Sequence, residues 1–206
     1  MRRAILELAI LAACSEPTIP VRQAAYPFDN LGDVFRWPEE RLPVRVFADR
    51  RGAMRSLVEA GLSVWGSQFT YGEFHGFWWP DSNSADVVAV WSGTVPPNVP
   101  PDSGPPVAAC SGVTRLVIDS TGNALDSAIV ITVQRLAVTA TDAQVAACVR
   151  RVVTHELGHS LGLLQHSSDP GDLMAAEPLV DRPTARDRVT AEILYHTAPT
   201  IGPPPR

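Results

Sequence analysis

Lysine is absent from the sequence. All 17 basic residues are arginines, no more than two of them are consecutive, and 22 acidic residues bring the formal net charge to −5. A surface that binds nucleic acid needs clustered positive charge, so this composition excludes that class of partner. Runs of 18 apolar residues are also absent, which excludes a membrane-spanning helix.

Cysteine is scarce as well, with three residues in a chain of 206, whereas proline is abundant, with 19. An apolar fraction of 45% is sufficient for a compact core without support from several disulfides or structural metals. At this length we expect one domain with short extensions.

The first residues have the features of an export signal. Two arginines are followed by an apolar segment (residues 4–13) and then by Cys14. This arrangement resembles the lipobox of bacterial lipoproteins, whose cysteine is lipidated, although Glu7 interrupts the apolar segment. We therefore predict a lipoprotein signal peptide at 1–14 and an exported protein, either membrane-anchored (periplasm or cell surface) or secreted. The alternative is an N-terminal helix with an incidental cysteine.

Cys110 and Cys148 remain as a pair if Cys14 carries lipid. In an oxidising compartment a disulfide between them is expected. It would close a loop of about 39 residues and stabilise the fold by up to ~4 kcal/mol on the chain-entropy model. In a cytosolic protein the same residues would be two buried thiols, so this prediction depends on the export prediction.

The two ends of the chain are rich in proline. Residues 15–40 are polar and interrupted by proline, which predicts a tether between the lipid and the folded body. Residues 198–206 predict a proline-rich tail.

The interior of the chain has the periodicities of regular structure. Apolar spacing predicts an amphipathic helix of about 15 residues from Met54. Strand patterns occupy residues 42–48, 68–79, 85–91, 113–118 and 128–133. Capping-box patterns at residues 141–144 and 184–187 predict two later helices, which end near Leu161 and near Tyr195. The order of these elements predicts an α+β domain.

Residues 155–166 read HELGHSLGLLQH and lie at the end of the first capped helix. His155 and His159 are about one helical turn apart and therefore point the same way. Two imidazoles at this spacing can ligate one zinc ion and leave coordination positions for water. Glu156, which is not itself a ligand, can take a proton from that water as it attacks a carbonyl.

Three features after His159 agree with a metal site. Gly162 stands where the helix must end, and glycine can adopt the left-handed conformation that reverses the chain. This reversal would bring His166 back to the metal as a third nitrogen ligand. Met174 follows in the sequence GDLM, although such a methionine, taken alone, would more often be a core side chain.

Together these residues resemble the metzincin metalloproteases, specifically the matrixin-like group. The family signature is H-E-x-x-H-x-x-G-x-x-H followed by a methionine turn. The resemblance implies that His155, His159 and His166 bind one catalytic zinc ion. It also implies that Glu156 is the general base and that Met174 is the turn methionine beneath the metal.

The resemblance further implies a fold and its boundaries. We expect a twisted mixed β-sheet of about five strands with an active-site helix and a C-terminal helix, in a catalytic domain at residues 41–197. Protein or peptide substrates would lie extended against an edge strand, for which the ADVVAV segment (residues 85–90) is a candidate. We expect the protein to be a monomer.

The chain departs from the family pattern at several positions. The family spacing places the third histidine at Gln165, so His166 comes one residue late, but glutamine is not a usual zinc ligand. Ala175 stands where a tyrosine often follows the turn methionine. His75 and His196 are too few for an additional histidine-built zinc site, whereas acidic loops leave calcium sites open.

The sequence therefore predicts a zinc-dependent endopeptidase acting on extracytoplasmic proteins, in which Glu156 takes a proton from the attacking water and passes it to the leaving amine. One alternative is a zincin whose third ligand is a glutamate, Glu177 or Glu192. Another is a catalytically inactive surface lipoprotein that keeps the frame as a binding module. The displaced His166 favours this second alternative, and the intact Glu156 argues against it.

Overall fold

The computed structural model describes residues 22–29, 31–92, 109–136 and 140–205. These residues form one mixed sheet of five strands with three α-helices, which confirms the predicted α+β class. The elements are β1 (Val44–Ala48), α1 (Met54–Gly66), β2 (Gly76–Trp79), β3 (Val87–Trp91), β4 (Cys110–Arg115), β5 (Ile129–Arg135), α2 (Asp142–Ser160) and α3 (Ala185–Tyr195). The predicted signal peptide and Cys14 lie outside the described residues.

The strands lie in the spatial order β2-β1-β3-β5-β4. The first four of these are parallel to one another, and β4 runs antiparallel to β5 at the edge of the sheet. Strand β3 is hydrogen-bonded on both sides, to β1 and to β5. The prediction that residues 85–90 form an edge strand was therefore wrong. The edge strand beside the active-site helix is β4.

Helices α1 and α2 pack closely against each other. The indole Nε1 of Trp65 donates a hydrogen bond of 2.7 Å to the carbonyl oxygen of Thr154. A Cβ at Gly61 would lie 2.5 Å from Leu157 Cδ1, so the absence of a side chain at Gly61 permits this close approach. Both predicted capping boxes are present, at the first turns of α2 and α3.

The predicted tether is, over residues 22–29 and 31–40, part of the folded body. Tyr26, Phe35 and Trp37 are buried, and the Trp37 indole donates a hydrogen bond of 2.9 Å to the carbonyl oxygen of Ser160 at the end of α2. The tether prediction was wrong for this part because these large side chains are isolated between polar residues and prolines. Such a segment shows no periodicity, and only its tertiary contacts order it.

The predicted tail also belongs to the fold as far as residue 205. Ile201 is buried and forms a bridge with Phe35, while Gly202 forms a bridge with Ala124. The carbonyl oxygen of Pro204 accepts a hydrogen bond of 2.7 Å from Arg41. These partners satisfy the polar backbone of a segment in which proline prevents regular structure.

A disulfide joins the edge strand to the active-site helix. The sulfurs of Cys110 in β4 and Cys148 in α2 are bonded, and the two Cα atoms are 5.9 Å apart.

Within the described ranges, no helix is long and apolar enough to cross a membrane.

Candidate metal centre

The end of α2 turns the chain back on itself. Gly162 follows the last turn with a φ of +110°, a conformation that favours glycine. The amide of Leu163 donates a hydrogen bond of 3.2 Å to the carbonyl oxygen of Gly158. The helix therefore ends at Ser160, and the chain reverses towards His166.

This reversal brings three histidine side chains together. The Nε2 atoms of His155 and His159 are 3.0 Å apart, and those of His159 and His166 are 3.2 Å apart. One nitrogen from each ring lies within 4.8 Å of the other two. His166 therefore reaches the pair on the helix although it comes one residue later than in the family signature.

Backbone carbonyls fix the orientation of the two helical histidines. Nδ1 of His155 is 2.7 Å from the carbonyl oxygen of Leu173, and Nδ1 of His159 is 2.6 Å from that of Leu163. Because a carbonyl oxygen can only accept a hydrogen bond, both Nδ1 atoms must carry a proton. In the neutral ring each Nε2 is then unprotonated, and its lone pair can bind a metal. Backbone carbonyls commonly orient metal-binding histidines in this way.

The local environment also keeps these histidines neutral. Burial lowers the pKa of His155 to about 4. Burial, with the neighbouring His155, lowers the pKa of His159 to about 3. Three neutral imidazole nitrogens that converge on one point are the donor set that zinc accepts in catalytic sites, so these residues fit a zinc ion.

Glu156 lies beside the three histidines and faces strand β4. It is 4% exposed, and its Oε2 accepts a hydrogen bond of 2.6 Å from the hydroxyl of Thr114. Burial raises the pKa of Glu156, and the hydrogen bond from Thr114 opposes part of that rise. A cavity of about 270 Å³ opens here, lined by residues that include Gly112, Thr114, Glu156, His159, Leu164 and His166.

Met174 lies beneath the helix that carries the histidines. Its side chain is fully buried, and its Sδ occupies the space where a side chain of Gly158 would otherwise lie. The carboxylate of Asp187 accepts hydrogen bonds from the amides of Leu173 and Met174, at 2.9 and 3.3 Å. The first turn of α3 thereby holds the methionine turn under the site.

The glutamates considered as alternative ligands lie outside this cluster. The metal-binding group formed by the described residues contains neither Glu177 nor Glu192, and Glu192 forms an ion pair of 3.0 Å with Arg22. No second group of three metal-binding side chains occurs in the described part of the chain. The calcium sites left open by the sequence therefore gain no support.

Sequence reasoning missed two residues of the site, Gly112 and Thr114. Both belong to β4, which lines the cavity although it is distant in sequence from the histidine motif. The available signal was the alternation of Cys110, Gly112 and Thr114, which places these three residues on one face of a strand.

The family model of matrixin matches residues 105–189. The matched region includes β4, β5, α2, all three histidines and Met174. No curated protein matches the sequence. The family match covers less than half of the chain, and together with the mixed five-stranded sheet and the active-site helix it supports a matrixin-like metzincin domain of a zinc metallopeptidase family.

Proposed function

We propose that this protein is a zinc-dependent endopeptidase that hydrolyses peptide bonds in extracytoplasmic proteins. One observation carries the proposal: Glu156, His159 and His166 border one open cavity, and the ring nitrogens of these two histidines converge with one from His155. A binding module would need the cavity but not a buried carboxylate beside it.

Each residue has a defined task in this reaction. His155, His159 and His166 hold the zinc ion, which, when bound, supplies the Lewis acidity that polarises a peptide carbonyl and a water molecule. Glu156 removes a proton from the attacking water. It then delivers that proton to the nitrogen of the leaving amine, so that the carboxylate is regenerated.

The edge strand supplies a means of holding the substrate. Strand β4 lines the cavity and pairs with β5 on one side, and its other side has no strand partner in the part of the chain that the structure describes. An extended peptide can add to such an edge through main-chain hydrogen bonds. Val113 on β4 is 59% exposed, so the same strand also offers apolar contact to the peptide.

The assay uses the purified protein, loaded with about one zinc ion per chain, and an unstructured polypeptide. We expect the wild type to cleave it and Glu156→Gln to lower kcat by about 100-fold or more at unchanged zinc content. The control is Glu59→Gln, which alters an exposed carboxylate on α1 and should leave cleavage unchanged. Absence of cleavage by the zinc-loaded wild type would identify the binding module instead.

We also propose that the protein acts outside the cytoplasm as a lipid-anchored monomer. The pattern before Cys14 and the disulfide between Cys110 and Cys148 support this location. In a bacterial host, the wild type should fractionate with membranes, and Cys14→Ser should not. Equal membrane association of the two proteins would contradict lipidation of Cys14.

A further inference from the structure

Strand β4 and helix α2 run side by side in matching steps. Every second residue of β4, from Cys110 to Thr114, meets every fourth residue of α2, from Cys148 to Glu156. Two residues of a strand advance by about 6.6 Å, and four residues of a helix advance by about 6.0 Å. The two elements therefore stay in register over three successive contacts, the first of which is the disulfide.

The second contact is possible because residue 112 is glycine. A Cβ at Gly112 would lie 2.5 Å from Val152 Cγ1 and 2.6 Å from Glu156 Oε1. Real Cβ atoms essentially never approach other atoms so closely. The absence of a side chain on Gly112 therefore leaves the space that the Glu156 carboxylate occupies.

The third contact is the hydrogen bond from Thr114. Its Oγ1 is 2.6 Å from Glu156 Oε2 and 3.0 Å from the carbonyl oxygen of Glu156. The hydroxyl has one proton to donate, and the shorter contact lies in the range of a charge-assisted hydrogen bond to a carboxylate. Oε1 accepts no hydrogen bond from the described residues, so it is available to accept a proton from the attacking water.

We propose that Thr114 is a positioning residue, whose hydroxyl holds the Glu156 carboxylate in one orientation in the space left by Gly112. This inference rests on the proposed function, because it assigns Thr114 a role through the general base. Thr114 does not itself exchange protons with the substrate. It prevents the carboxylate from rotating away from the cavity. The entropy of orienting the general base is then lost on folding and not in each turnover.

The test compares Thr114→Val, which keeps the shape and removes the hydroxyl, with Thr114→Ser, which keeps the hydroxyl. Thr132→Val is the matched control. Thr132 lies on β5 opposite Val113, and its side chain forms no hydrogen bond among the described residues. All four proteins are assayed for kcat, KM and zinc content on the same unstructured polypeptide.

We expect Thr114→Val to lower kcat by about 10- to 100-fold while KM and zinc content stay near wild type. Thr114→Ser should restore most of kcat, and Thr132→Val should equal the wild type. A wild-type kcat in Thr114→Val, or a serine variant as slow as the valine variant, would overturn the positioning role. A zinc-loaded wild type without activity would instead overturn the proposed function.

A second measurement does not depend on activity. In a crystal structure of zinc-free Thr114→Val, the Glu156 side chain should occupy more than one rotamer, while β4 and α2 keep their positions. A single Glu156 rotamer identical to that of the wild type would overturn the proposal, whether or not the enzyme cleaves peptides.

Discussion

The carbonyl oxygen of Phe35 lies against Gly162, on the side where any other residue would carry its side chain. The N-terminal segment therefore packs against the turn that ends the active-site helix. We expect Gly162→Ala to lower the free energy of unfolding by about 3 kcal/mol, because the new methyl group collides with a backbone atom that cannot move freely. Thermal unfolding should shift down by roughly 6–12 °C.

Gly72→Ala separates this collision from backbone strain. Gly72 also has a positive φ, of +73°, but nothing lies within 4 Å of a Cβ built there. Gly72→Ala should therefore lower the free energy of unfolding clearly less than Gly162→Ala does. Equal losses would mean that Phe35 does not constrain the turn.

Tyr26 should stabilise the fold through Asp187. Its hydroxyl donates a buried hydrogen bond of 2.7 Å to the same carboxylate that holds the methionine turn. Tyr26→Phe leaves that acceptor short of a donor, so we expect a loss of about 1–3 kcal/mol in urea unfolding. Tyr71→Phe alters a side chain that is 85% exposed, so it should leave the free energy of unfolding unchanged. If Tyr26→Phe left the free energy of unfolding unchanged, residues 22–29 would not unfold together with the rest of the domain.

The stability of the zinc-free protein should depend on the ionisation of Asp172. Burial raises the pKa of Asp172, but hydrogen bonds from Ser167, Thr184 and Arg186 outweigh it, and the resulting pKa lies below its ordinary value. The pKa in the folded state is thus lower than the unfolded value of about 3.9. The carboxylate therefore stabilises the fold above that pH, and this contribution disappears as the pH falls through the folded-state pKa.

We expect Asp172→Asn to be less stable than the wild type at neutral pH, with the difference shrinking as the pH falls from about 5 to about 3. Equilibrium unfolding of both zinc-free proteins across this range measures the difference. Asp126→Asn, at an exposed residue, should follow the wild type at every pH. A difference between Asp172→Asn and the wild type that stays constant with pH would contradict the role of the charge.

His166 should contribute to zinc binding, whereas Gln165 should not. His166→Ala removes one of the three converging nitrogens, so we expect the zinc affinity to fall by at least about 100-fold. Gln165→Ala serves as the neighbouring control and should bind zinc as the wild type does. Competition with a chromogenic chelator measures both affinities. The opposite ranking would assign the third ligand to the position that the family signature gives it.

Local signals in the sequence predicted the elements that carry the site. The capping boxes located the starts of α2 and α3, and the histidine spacing identified the functional end of α2. These features depend on residues within one or two helical turns, where side-chain periodicity follows directly from backbone geometry.

Contacts between distant parts of the chain were not predictable in this way. The apolar pattern of residues 85–90 indicated a buried strand but not its neighbours, and β3 proved to be interior. Phe35 and Trp37 belong to a segment without periodicity, so their burial follows from tertiary contacts such as those with Gly162 and Ser160. Thr114 likewise acquires significance only once β4 lies beside Glu156.

The disulfide between β4 and α2 has a topological consequence. The chain from Cys110 to Cys148 forms a closed covalent ring that contains β4, β5 and the first turns of the active-site helix. A single cut in the backbone within this ring would leave one covalently connected molecule. The strand that lines the cleft would stay attached to the helix that carries His155 and Glu156. A cut outside the ring, by contrast, would divide the protein into two fragments with no covalent link between them.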